Sequence, residues 1–182
     1  MDSPPAPSRP TTTGLVLTVP ALAPVLDRTS LPTVPTAAAG APPHVTVLFP
    51  WVPGPVAPAD LARLETAVRG AGAVTLTFAR LGTFADGGVL FLRPDPEEEV
   101  RRLVHRVLAA FPDQLPYGGR HGDPVPHLTV ALAAPAELPD LEREVAAALA
   151  PQLPVTVTVA HLSVLEQVPG GRWHETHRVS LG

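Results

Sequence analysis

The sequence predicts a single α+β domain, and three observations predict it. Short β-branched, apolar runs alternate with stretches of helical periodicity, in the order strand, helix, strand, helix, two strands, helix, strand, helix, two strands. Part of that order occurs twice, because a strand, a helix and a strand pair follow Pro43 and the same succession follows Pro126. The chain has 182 residues with 45% hydrophobic content, enough for one domain with a sizeable core but cramped for two independent ones.

Taken in order, residues 1–13 (MDSPPAPSRPTTT) are rich in Pro, Ser and Thr without periodicity and read as a disordered tail, leaving 14–182 as the folded domain. Leu15 to Val19 suits a buried strand, and Ala21 to Arg28 a short helix behind a proline. Thr29 to Pro43 is a Pro/Ala/Gly-rich loop that delivers the strand His44-Val45-Thr46-Val47-Leu48-Phe49, which stops at Pro50. Pro58-Ala59-Asp60 opens a helix with Leu61, Leu64, Ala67 and Val68 at helical spacing, and Gly70 to Gly72 ends it. Val74 to Phe78 and Val89 to Leu92 read as strands with a turn at Asp86-Gly87-Gly88.

An acidic start, Glu97-Glu98-Glu99, leads a helix through Val100, Leu103, Val104, Val107 and Leu108, where the acids suit the helix dipole and form a solvated face. A loop over 112–125 delivers the second histidine strand, His127-Leu128-Thr129-Val130. Leu138 to Leu149 is a further helix. Val155 to Val168 alternates as one long strand, and Pro169-Gly170-Gly171 turns it into a last strand, Trp173 to Leu181.

Composition narrows the function classes. Without cysteine there is neither a disulfide framework nor a thiolate metal site. All 13 basic residues are arginine, which points to a GC-rich, bacterial genome. A net charge of −4 excludes the global positive field of a non-specific nucleic-acid binder, so a nucleic-acid substrate is expected to be met locally. The run from Gly14 to Val19 imitates a signal-peptide core, but Asp2 and Arg9 precede it and Pro20 interrupts it; with no run long enough for a membrane helix, a cytoplasmic monomer without membrane association is expected. No P-loop, no G-x-G-x-x-G and no H-E-x-x-H are present, and no carboxylate stands at ligand spacing from either histidine strand.

The chemistry lies in the two histidine strands. Side chains alternate along a strand, so His44 and Thr46 share one face about 7 Å apart while Val45 and Val47 face the core, and the same holds for His127 and Thr129. If the strands lie adjacent, two imidazoles and two hydroxyls converge. Such a spot suits a phosphate: a neutral imidazole takes a proton, a protonated one gives one, and hydroxyls hold the non-bridging oxygens. One H-x-T alone carries little weight, and His174-Glu175-Thr176, followed by His177, is read as incidental. The other two share Pro-His-apolar-Thr-Val at equivalent places in the repeated pattern.

Two such motifs, about eighty residues apart in a chain of this size, resemble the two-histidine (2H) phosphoesterase superfamily, and most nearly its LigT-like group of 2'-5' RNA ligases and RNA 2',3'-cyclic phosphodiesterases. The resemblance covers nearly the whole chain from about residue 14, with valine after Thr46 and Thr129 where leucine is common. It implies a duplicated, two-lobe α+β fold whose antiparallel sheets face a central cleft with helices outside. It further implies hydrolysis of 2',3'-cyclic phosphates, of RNA 3' ends or small nucleotides, without metal or other cofactor. His44 and His127 would be acid and base, Thr46 and Thr129 phosphate contacts, and 2'-5' ligation the reverse reaction. As further substrate contacts the sequence offers Phe49 and Trp51 after the first motif and Tyr117 and Arg120 before the second, with His121 a weaker one and Arg80, Arg93 and Arg172 a basic group if they cluster. The alternative is a nucleotide- or RNA-binding module that keeps the cleft without turnover.

Overall fold

Each histidine strand forms one edge of a four-stranded antiparallel sheet in the computed structural model, which describes residues 11–27, 35–119 and 123–182. The strands are β1 (Thr12–Thr18), β2 (His44–Leu48), β3 (Val74–Phe84), β4 (Val89–Asp95), β5 (Leu128–Leu132), β6 (Val155–Val159), β7 (His161–Gln167) and β8 (Trp173–Ser180). The first sheet runs β2-β1-β7-β8 and the second β5-β4-β3-β6, all pairs antiparallel. Between them the helices are α1 (Ala23–Asp27), α2 (Pro35–Ala38), α3 (Pro58–Val68), α4 (Glu97–Ala110) and α5 (Leu138–Leu149).

Burial follows from position in the sheet. In β1, a central strand, Leu15, Val16 and Leu17 are all buried, whereas the edge strand β2 alternates, with Val45 and Val47 in the core and His44 and Thr46 turned outward. In α4, Val100, Leu103, Val104 and Val107 keep i, i+3, i+4, i+7 spacing, and all four enter the core. Helices α3 and α4 pack on each other and against β8 and β2 of the first sheet, and α5 packs against β4 of the second. Among the described residues no helix is long and apolar enough to cross a membrane.

Four expectations need correction. The assigned tail runs too far, since Thr12 and Thr13 belong to β1, pair with Gln167 and Glu166, and the buried Thr13 hydroxyl donates to the Val52 carbonyl. Within the loop read over 29–43, Pro35–Ala38 form the short helix α2. The third strand runs on to Phe84, six residues past Phe78, because β4 continues to pair with it. The long strand read over 155–168 is two strands in different sheets: β6 pairs with β3 and β7 with β1, and the chain crosses over at Ala160. No Gly or Pro marks that crossing, so periodicity runs through it unbroken. The change shows only in burial, which alternates along the edge strand β6 and becomes nearly continuous along the central strand β7.

The repeat is real in pattern but interlocked in space. The strand pair after the first motif, β3 and β4, joins the second motif strand, and the pair β7 and β8 after the second motif joins the first sheet. Each sheet therefore draws on both halves of the chain, and β2 and β5 lie against each other where the two sheets meet.

Candidate active site

At that meeting of edges, the outward face of each motif strand lines a shared cleft of about 770 Å³, with His44, Thr46, His127 and Thr129 all on its wall. Cross-strand register fixes their direction, because directly paired residues share a face. Thr46 pairs with Val16 and Thr129 with Phe91, while the alternating valines and leucines hold each strand to the core.

Both imidazoles are oriented by the same local device. His44 Nδ1 lies 2.7 Å from the Pro42 carbonyl oxygen, and His127 Nδ1 lies 2.8 Å from that of Val125, in each case two residues back. A carbonyl only accepts, so Nδ1–H donates and carries the proton of the neutral ring, which leaves Nε2 as the base nitrogen. Burial pulls His44 below its ordinary pKa of 6.5; the Pro42 carbonyl opposes that, and the neighbouring His127 adds to it. Burial likewise lowers His127, with the Val125 carbonyl opposing. The influence of one imidazole on the other is the electrostatic sign of their proximity.

The two histidines have different neighbours. His127 stands edge-on to Phe84, with ring centres 5.0 Å apart, and lies 5.4 Å from Phe91, itself 1% exposed. On the side of the first motif, Phe49 meets Trp173 edge to face at 5.9 Å and tilts against Tyr117 at 6.5 Å, and all three line the cleft. Tyr117 adopts a left-handed conformation (φ 52°) and its N–H donates to the Phe49 carbonyl at 2.6 Å, which turns its side chain back to the cleft. Burial raises its hydroxyl pKa, and a side-chain hydrogen bond with Thr46 opposes the rise.

Of the residues expected at the site, His44, Thr46, His127, Thr129, Phe49 and Tyr117 come together. Trp51 does not. It is 2% exposed, sits edge-on to Phe111 at 5.4 Å, and is a core residue, because Phe49 already occupies the cleft side of that segment. Arg120 and His121 lie outside the described residues. Arg80 and Arg93 are cross-strand partners occupied with Asp95 and Glu97, and Arg172 sits in the β7–β8 turn of the other sheet. Trp173, Phe84 and Phe91 are additions that the sequence reading did not single out: their place depends on which strands pair, and only their aromatic character was visible beforehand. Among the described residues no group of three His, Asp or Glu side chains is gathered closely enough to hold a metal ion.

The model of the 2'-5' RNA ligase superfamily matches residues 26–171. No curated protein matches the chain in sequence. Among solved structures, TT0787 of Thermus thermophilus superposes with a TM-score of 0.61 at 16% identity, covering 93% of this chain and 97% of that one. E. coli LigT complexed with 3'-AMP gives 0.62 at 16% identity over 94% and 98%, and LigT complexed with NADP+ gives 0.57 at 17% over 95% and 98%. At these identities the likeness is one of fold. The family model spans most of the chain, including both histidine motifs, and with it the chain belongs to the 2'-5' RNA ligase superfamily, the LigT-like two-histidine phosphoesterases.

Proposed function

We propose that the protein is a metal-independent phosphoesterase that hydrolyses 2',3'-cyclic phosphates, of small nucleotides or RNA 3' ends, by proton transfer between His44 and His127. The observation that carries this reading is the shared tautomer: each Nδ1–H is held by a carbonyl two residues back, leaving two Nε2 atoms on one cleft. A phosphate between them meets a base on one side and an acid on the other.

In the hydrolytic direction, the neutral imidazole takes a proton from water as its oxygen bonds to phosphorus. The protonated imidazole gives its proton to the ribose oxygen as the P–O bond breaks, and a phosphomonoester with a free hydroxyl results. Thr46 and Thr129 supply hydroxyl donors for the non-bridging oxygens, where charge develops. Phe49, Trp173 and Tyr117 form an aromatic wall against which a nucleobase stacks. With a ribose 5'-hydroxyl in place of water, the same transfers in the same direction form a phosphodiester to the 5' oxygen while the ribose P–O bond breaks and its oxygen is protonated, which is the joining reaction. The titration belongs to the pair, because proton loss at one imidazole alters the other.

The test is incubation with each 2',3'-cyclic nucleotide, and with an oligonucleotide ending in a cyclic phosphate, in excess EDTA. Turnover to a phosphomonoester supports the proposal; nucleotide binding without turnover points to a binding module instead.

A further inference from the structure

Two short loops deliver the catalytic strands, and they are fastened differently. Before the first motif, the carbonyl of Pro43 accepts the backbone N–H of Val19 at 2.7 Å, next to the Pro42 carbonyl that holds His44. Before the second, the carbonyl of Pro124 accepts Arg101 Nη1 at 3.2 Å, next to the Val125 carbonyl that holds His127. The same Nη1 is 2.6 Å from Asp123 Oδ2, so one guanidinium nitrogen grips the loop at two consecutive residues. Arg101 is only 20% exposed, and its other nitrogens face Glu97 Oε2 at 3.4 Å and Glu98 Oε1 at 4.0 Å on its own helix. His105 Nε2, one turn on, lies 3.7 Å from the second oxygen of Asp123.

We infer that Arg101 is a positioning residue for His127: anchored on α4 by Glu97 and Glu98, it fixes loop residues 123–124 and thereby the Val125 carbonyl that selects the imidazole tautomer. A planar guanidinium suits this task, because one rigid fork satisfies a carboxylate, a carbonyl and a helix-face acid together. The effect is expected at the second motif, since the fastening seen at the first among the described residues is the backbone hydrogen bond from Val19 to Pro43, which Arg101 does not touch. Only the kinetic consequence rests on the proposed phosphoesterase activity; the orienting role does not.

The test therefore has two arms. In the first, ¹⁵N NMR of the histidine rings in the free protein reads the tautomers directly. Wild type is expected to show Nδ1–H at both His44 and His127; Arg101→Gln is expected to mix the tautomers of His127 and leave His44 unchanged. Arg102→Gln, which removes an exposed ion pair with Glu99 on the same helix, is expected to change neither. Arg101→Lys keeps the charge without the fork, is expected to fall between wild type and Arg101→Gln, and gives the same reading should the glutamine variant not fold. An unaltered His127 ring in a folded Arg101 variant overturns the inference, as does an equal disturbance of both histidines.

In the second arm, cyclic-phosphate turnover by Arg101→Gln is expected to fall roughly tenfold or more in kcat, with KM little changed and one limb of the pH profile displaced. No turnover in wild type removes the phosphoesterase reading while the NMR arm still decides the role of Arg101. A kcat equal to wild type alongside mixed tautomers contradicts the link from orientation to catalysis.

Discussion

Two half-buried imidazoles set the pH range expected of the proposed chemistry. Because burial lowers both histidines from 6.5, the free protein reaches the state with one neutral and one protonated ring on the acid side of that value. The maximum of kcat/KM is therefore expected below pH 6.5, to the acid side of the near-neutral optimum that motif chemistry alone suggests; a maximum on the alkaline side contradicts the burial argument. Stability follows the same sign. Each folded-state pKa lies below the unfolded value, so the unfolded chain holds more protons, and stability is complete above 6.5 and is lost as pH falls through the folded-state values. Urea midpoints are expected to fall as pH is lowered through that window, and to fall less in His44→Gln, which does not titrate. Tyr117→Phe keeps the ring against Phe49 and loses only the hydrogen bond with Thr46, so kcat/KM is expected to drop by less than about tenfold.

Strand β3 shows how a position far from the motifs bears on the site. Gly82 pairs with Phe91, and a Cβ there would lie 2.7 Å from the Phe91 ring and 2.9 Å from Arg93 Nε. Since Phe91 is buried beneath His127, Gly82→Ala is expected to destabilise the fold by about 1–3 kcal/mol through overpacking and to lower turnover by shifting the imidazole's support. Thermal unfolding and activity of the one variant check both effects; an unchanged melting temperature contradicts the contact. Helix α5 was legible to the residue, because its start follows a proline-marked turn and its apolar spacing is regular. Strands β6 and β7 were not, because a crossover without Gly or Pro leaves no local mark, and sheet membership is decided by partners distant in sequence. Trp51 illustrates the same limit: an aromatic two residues from a cleft side chain reads equally well as wall or core.

Over the molecule as a whole, the family resemblance implied two lobes; the motif strands put His44 with Thr46 and His127 with Thr129 on one face each, and the condition for all four to face one space, that the strands lie adjacent, is met by β2 and β5. What the pattern did not foretell is the exchange of strand pairs between halves, since pairing is set by long-range packing. That exchange makes neither half a complete sheet, so unfolding is expected to be a single cooperative transition. Near-ultraviolet circular dichroism, which senses Trp51 packed on Phe111 in the core, and far-ultraviolet circular dichroism are expected to give coincident curves; separate midpoints contradict an interlocked fold. The interlock also explains why the two imidazoles are held at one place, as each edge strand is backed by a sheet that includes residues from the opposite half.

The decisive measurement is single-turnover hydrolysis of a 2',3'-cyclic nucleotide in excess EDTA by wild type, His44→Ala, His127→Ala and the double variant. Each single change is expected to slow the reaction by roughly 10²- to 10⁴-fold, and the double change by little more than the worse single one, because acid and base act as a unit. Wild-type turnover that survives the loss of either histidine, or that needs a chelatable metal, contradicts catalysis by the pair.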